Sequence, residues 1–277
     1  MRSADAVVVG GLALFAGFVA FQIAAAPAAA GRAGVPEPAR PSRDSALIEA
    51  AYRGNHLRFG ASAPPRWVVA LQHERLRTPP PPAPPRDPAA ERERIAVLGP
   101  HGYLPAMLQD NDSTLNRWPA RPEPIRVWVQ PRAAVRGFTP AFVGPVRAAF
   151  QPWSALGLGV AFAMEEDSSR AEVHVLWTEA FDAADQIGGT LRSTDPSGWI
   201  VAASITLRTV TLDDGTPDVV TVQNAALHEI GHLIGLDHSP IADDVMAART
   251  DGQRDRLSRA DRNTARLLYS LPPGRVP

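Results

Sequence analysis

Apolar and polar positions along the chain divide it into three stretches. Ala6 to Ala26 is apolar apart from Gln22, with no polar face, so it does not read as an amphipathic surface helix. A long middle stretch shows no sustained period. From Arg121 onward the periods become regular. Ile125-Arg126-Val127-Trp128-Val129 alternates with period two, as a half-buried strand does. Val160 to Met164, Glu172 to Trp177, Gly188 to Arg192 and Trp199 to Leu207 read as four more strands, with Gly188–Arg192 as a short edge strand. Three helices fit between and after them. The first starts near Thr139-Pro140, with Val143, Val146, Phe150 and Trp153 on one face, although Pro145 falls inside it. The second runs from about Thr221 to Ile234 with the stripe Val222, Ala226, Ile230 and Leu233. The third runs from about Arg259 to Leu271, with Ser258 as N-cap and Asp261 in the capping-box position, and Pro272-Pro273 stops it. The order is strand, helix, four strands, helix, loop, helix, which is an α+β layout with helices packed on a sheet.

Composition sharpens the first two stretches. Val7 to Phe21 suits the hydrophobic region of a signal peptide, and Ala28-Ala29-Ala30 suits its cleavage site. The whole apolar run is also long enough to span a bilayer as an uncleaved anchor. Residues 1–30 are thus a signal peptide or an N-terminal membrane anchor, and in both cases the rest of the chain is exported. Of the chain's 28 prolines, seven lie in the run Pro79 to Pro88. Residues 31–120 read as a Pro-rich linker, spacer or pro-region, with short helices at Ser45–Leu57 and Trp67–Leu76 and an extended polyproline segment at Pro79–Pro88. Residues 121–277 are the expected globular domain. Cysteine is absent, which excludes a disulfide framework, a Cys-ligated zinc, an iron–sulfur cluster and a thiol nucleophile. An exported chain without cysteine fits a bacterial envelope. Every basic residue is Arg, so lysine chemistries are excluded as well. The net charge of −1 argues against nucleic-acid binding through gross charge.

The chemistry concentrates in His228-Glu229-Ile230-Gly231-His232-Leu233-Ile234-Gly235-Leu236-Asp237-His238, an H-E-x-x-H-x-x-G-x-x-H pattern. His228 and His232 are four apart, so on a helix they stack on one face and can grip one ion. Gly235 can take positive φ, end the helix and turn the chain back. His238 then reaches the same ion as third ligand. Three neutral imidazoles leave a fourth position open, the mark of a catalytic zinc and not of a structural one. Glu229 is placed to act on the water there. With this composition the five fixed positions would arise by chance on the order of once in a hundred thousand such chains, which makes the pattern far more specific than H-E-x-x-H alone.

This segment resembles the zinc-binding signature of the metzincin metallopeptidases. Ser239 after the third His resembles the matrixin branch, the matrix-metalloproteinase-like family in its bacterial type. The resemblance extends over about residues 121–275, through Ala171-Glu172-Val173-His174-Val175 and Leu257-Ser258…Asp261…Leu268-Tyr269. It implies a twisted mixed five-stranded sheet with an active-site helix and a C-terminal helix. It also implies that Met246, eight residues after His238, forms the Met-turn beneath the metal. The sequence departs from the family in several places. Of the His and Asp set that holds the family's second, structural zinc, His174 alone lies in the right region, so one zinc is expected and His174 is expected to have an ordinary strand partner. Asp213-Asp214-Gly215 and Asp195 offer carboxylates for the family's calcium, but Asp-Gly pairs are also turn formers, and calcium is left unsupported. The family's Pro-x-Tyr after the Met-turn is replaced by Ala247-Ala248-Arg249, so no side-chain preference follows. With no cysteine, thiol latency is excluded.

The function expected is zinc-dependent endopeptidase activity: zinc bound by His228, His232 and His238, Glu229 as general base, and a peptide lying extended along Gly189, Thr190, Leu191 and Arg192. The expected partners are protein or peptide substrates, with no nucleic acid, a membrane if the N-terminal segment is retained, and a monomeric chain. The rival reading is a catalytically silent zinc-binding envelope module on a protease-like scaffold. Glu229 speaks against it, because metal binding alone gives that residue no role.

Overall fold

The computed structural model describes residues 19–23, 80–181, 185–250 and 254–276. The short helices expected at Ser45–Leu57 and Trp67–Leu76, and most of the apolar N-terminal run, lie outside these residues. In chain order the elements are β1 (Val19–Ile23), α1 (Pro88–Leu98), α2 (Leu104–Asp110), β2 (Thr114–Leu115), β3 (Ile125–Val129), α3 (Val143–Ala148), α4 (Gln151–Ser154), β4 (Phe162–Met164), β5 (Val173–Thr178), β6 (Gln186–Thr194), β7 (Ile200–Arg208), α5 (Val219–Leu233), β8 (Arg249–Thr250), α6 (Arg259–Ser270) and β9 (Gly274–Arg275). Among the described residues no helix is long and apolar enough to cross a membrane.

The centre is a mixed sheet of five strands in the order β4-β3-β5-β7-β6. The first four strands are mutually parallel, and β6 is antiparallel to β7. In β3, Ile125, Val127 and Val129 are buried and the residues between them half-buried, as the alternation predicts. Five consecutive residues of β5 are buried, Val173 to Trp177, which is the behaviour of a parallel strand covered on both faces. α5 packs across β6 and β7, and α3 packs on α5. The largest buried side chains, Trp153, Trp177, Phe142 and Phe150 among them, fill the space around these contacts.

The first expected helix is divided. Thr139 caps a 3₁₀ turn at Pro140–Phe142, followed by α3 and α4. Pro145 lies in the first turn of α3, where its missing N–H leaves no hydrogen bond broken.

Two short strands lengthen the β6 edge. β1 pairs antiparallel with β6, Val19 opposite Thr190 and Phe21 opposite Gly188. It also pairs parallel with β8, Gln22 beside Arg249. Part of the apolar run read as signal or anchor is therefore a strand here, held between β6 and the chain that follows Met246.

The packed unit also takes in residues grouped above with the spacer. Tyr103, Leu104, Met107, Leu115 and Trp118 belong to the main core, and α1 and α2 lie against α6. No helix is expected between Pro88 and Arg121 from the sequence, but the prolines at these helix starts sit where a helix tolerates them. Pro88 opens α1 behind the N-cap Asp87, whose carboxylate accepts from the N–H groups of Ala89 and Ala90. Pro105 lies in the first turn of α2. A first-turn proline gives up only an N–H that has no partner inside the helix. Residues 80–87 have no regular secondary structure, and the Pro81 carbonyl accepts from the Trp199 indole N–H at 2.8 Å.

Candidate metal centre

α5 is amphipathic only in its first turns and buried thereafter. From Ala225 to Leu233 every residue is buried, so its polar groups need partners inside the protein. The Asp218 carboxylate caps its start by accepting from Thr221 N–H at 2.7 Å. Its end is a Schellman turn: Gly235 N–H donates to His232 O, and Leu236 N–H to Gly231 O, each at 3.0 Å. Gly235 has φ +108°, and a Cβ there would run into the Asn116 carbonyl, so glycine is required on both grounds. Side chains bond to further carbonyls, two at the end of the helix and one, Leu227 O, inside it. Trp153 Nε1 donates to Leu227 O, Trp118 Nε1 to Leu233 O and Tyr269 OH to Ile234 O, all within 3.0 Å. These bonds fix the helix and the turn that carry the histidines.

His228, His232 and His238 converge, with their candidate ligand atoms all within 4.8 Å of one another. His228 Nε2 and His232 Nε2 are 2.9 Å apart, and His238 Nε2 is buried without a hydrogen-bond partner among the described residues. The other ring nitrogen of two of them is engaged from outside. His228 Nδ1 donates to Val245 O at 2.6 Å, and His232 Nδ1 to Leu236 O at 2.8 Å. Those bonds place the proton on Nδ1 and leave the Nε2 lone pairs facing inward. Burial favours the neutral form of all three rings. It pushes His228 down to about 3, with help from its neighbour His238, pushes His232 well below the usual histidine range, and lowers His238. Inward lone pairs on neutral, mutually close imidazoles are a donor set that fits a divalent cation such as zinc.

Glu229 is wholly buried beside this cluster. Its Oε2 accepts from Thr190 Oγ at 2.7 Å, while Oε1 has no partner among the described residues. Burial pushes its carboxyl up to about 8 against the opposing Thr190 bond. Gly188 is the reason the carboxylate fits: a Cβ there would sit 2.6 Å from Oε1.

Met246 is fully buried, and its sulfur lies against Gly231 where any larger residue would put its Cβ. The chain around it is held by one carboxylate. Asp261 accepts from Val245 N–H at 3.0 Å and Met246 N–H at 3.4 Å, while also capping α6 through Ser258 N–H and accepting from Tyr103 OH. The carbonyl that orients His228 belongs to Val245, so this arrangement passes directly to a candidate ligand. Met246 O accepts from Ser239 N–H at 2.7 Å, tying down the residue after His238.

The residues expected to bind substrate divide by the strand's period of two. Gly188, Thr190 and Arg192 face α5, and the Arg192 side chain is buried there instead of lining the surface. Its Nη1 donates to His232 O at 3.0 Å, and its Nη2 lies 3.4 Å from Asp237 Oδ1. Gly189 lies between Thr206 of β7 and Ala20 of β1, and Leu191 is half-buried. The backbone edge of β6 is the element that could receive a peptide, since β1 already pairs along it. His174 Nε2 bonds to Ser168 O at 2.8 Å, an ordinary strand-to-loop contact. Asp195 accepts from Ser197 and Trp199 N–H groups, and Asp213 from Thr211, so both carboxylates serve turns.

Thr190, Arg192, Asp237 and the Val245 and Leu236 carbonyls had no recognised role in the sequence pattern around the metal. The alternation of β6 against α5 is the one signal that could have found the two β6 side chains. No curated protein matches the chain significantly. Residues 141–270 match the family model described as Matrixin, of the M10 peptidases. That segment spans the three histidines, Glu229, Met246 and the whole of α6, and with the mixed sheet described above it supports a matrixin-like metzincin catalytic domain in these residues.

Proposed function

We propose that the chain is a zinc-dependent endopeptidase acting outside the cytoplasm. The observation that carries the reading is the Glu229 carboxylate, buried beside three convergent imidazoles with one oxygen unpartnered. An unsatisfied buried carboxylate costs stability, and a site that merely held a metal would have no use for it. His228, His232 and His238 would hold the ion, which when bound would polarise the scissile carbonyl and acidify water. A cation there would also favour the ionised form of Glu229, countering the effect of burial. Glu229 Oε1 then takes the proton of the attacking water and delivers it to the leaving amine nitrogen. Thr190 Oγ holds the other oxygen in place during both transfers. The substrate lies extended along β6, with Gly189, Thr190 and Leu191 contributing backbone groups, in the manner of β1.

The test uses the full chain, because Tyr103, Leu104, Met107, Leu115 and Trp118 are part of the core. Zinc content and cleavage of casein or fluorogenic peptides are measured for the native chain and for Glu229→Ala. Retained zinc with lost cleavage supports the mechanism. A native chain that binds zinc yet cuts nothing in a broad peptide library would be the silent binding module instead. Labelling the N-terminus of the exported protein separates a cleaved signal from a retained anchor.

A further inference from the structure

Three side chains catch the carbonyls at the end of α5, and one of them is unlike the others. Trp118 and Tyr269 are neutral. Arg192 brings a full positive charge to the negative end of the helix, and it does so with a side chain only 6% exposed. A buried guanidinium loses hydration and needs a carboxylate partner. That partner is Asp237, 15% exposed and immediately ahead of His238. Asp237 is itself held on its other oxygen by Asn111 Nδ2, from the end of α2. One guanidinium therefore bonds at once to the backbone of one candidate ligand, His232, and to the residue beside another, His238. Between these two anchors lies the Gly235 turn, the most permissive backbone position of the segment.

From this we infer that Arg192 and Asp237 are a positioning pair: they fix the separation of His232 and His238 across the Gly235 turn and so set the geometry in which the metal is held. The inference rests on the zinc reading above and deepens it. Neither residue is among the candidate metal ligands. Without the pair, the Schellman bonds would still end the helix, but nothing charged would tie the returning chain to it. Lysine cannot replace the arginine, because a single ammonium lacks the planar fork that reaches both acceptors.

The experiment compares the full chain with Arg192→Met, Arg192→Lys and Asp237→Asn. Zinc affinity is measured by chelator competition, and geometry by the visible absorption of the cobalt-substituted protein. Arg192→Met is expected to bind zinc about 10- to 100-fold more weakly, the usual cost of removing a group that orients metal ligands, and to shift the cobalt bands. Arg192→Lys should recover less than half of that loss. The near-isosteric Asp237→Asn keeps the test open if Arg192→Met fails to fold, and should shift the cobalt bands in the same sense. A folded Arg192→Met or Asp237→Asn chain that binds zinc within twofold of the native chain, with unchanged cobalt bands, overturns the positioning role. A native chain that takes up no zinc overturns the reading beneath it.

Discussion

Two carboxylates are wholly buried, one on each of the last two helices, and their surroundings differ completely. Asp261, at the start of α6, accepts from three backbone N–H groups and from Tyr103 OH. Glu229, on α5, accepts from Thr190 through Oε2 and has no partner for Oε1. Both are inaccessible to solvent. The fully bonded carboxylate builds the structure: it closes a helix cap, holds the Met246 turn and, through Val245, orients His228. The half-bonded one carries a cost that the proposed chemistry at the adjacent site would offset. On that reading, satisfaction of a buried acid, more than burial itself, separates the scaffold from the proposed general base.

Mutation can break that contrast from either side. The largest effect is expected from Glu229→Gln, which should cut kcat/KM for peptide hydrolysis by about a thousandfold, within the usual range for losing a general base. Zinc content should be unchanged; substantial hydrolysis by this variant would remove Glu229 from the mechanism. Asp261→Ala should act on stability, lowering it by about 3 kcal/mol as several bonds to a buried charge are lost, measured by denaturant unfolding. If it unfolds like the native chain, Asp261 is not the tie described. Gly188→Ala should leave folding and zinc nearly intact but reduce hydrolysis about tenfold. The new Cβ would sit 2.6 Å from Glu229 Oε1 and 2.8 Å from its Cγ, displacing the carboxylate from its productive position. The smallest effect concerns a third carboxylate. Burial works to raise the Glu172 carboxyl, but its bonds from Arg121 and the Arg126 N–H outweigh this and hold it below the usual range. A depressed carboxyl stabilises the fold above its unfolded pKa, and that contribution is lost as pH falls through the lowered folded value. Glu172→Gln should therefore flatten the acid limb of the stability–pH curve; an unchanged limb would show that the ion pair is too well solvated to matter.

Much of this was legible in the residues. The spacing of His228, His232, Gly235 and His238 demands a helix followed by a turn, and both are present. The Ser258/Asp261 capping box was readable because its partners are three residues apart. The second job of Asp261, across to Val245 and Met246, was not, because no local pattern records a contact made by the fold. The same holds for the carbonyls that accept from His228 and His232: backbone groups are identical at every position and carry no sequence signature. Arg192 read as a substrate contact because it lies on the edge strand; the strand's period turns it toward α5 instead. The helices near residues 88–110 were hidden by their prolines, which mark helix starts as readily as chain breaks.

The pairing of Val19–Ile23 with β6 has a quantitative side. A ladder position on β6 can be used by one strand at a time, so a peptide bound there as proposed would draw on the same donors and acceptors as β1. The first is tethered to the protein and the second arrives from solution. A tethered competitor acts at an effective concentration set by its connecting segment, on the order of millimolar for a short flexible link and lower as the link lengthens. If a peptide binds along β6 as proposed, the number of residues between β1 and α1 would set how often the protein's own strand, and how often a foreign one, occupies the edge beside Glu229.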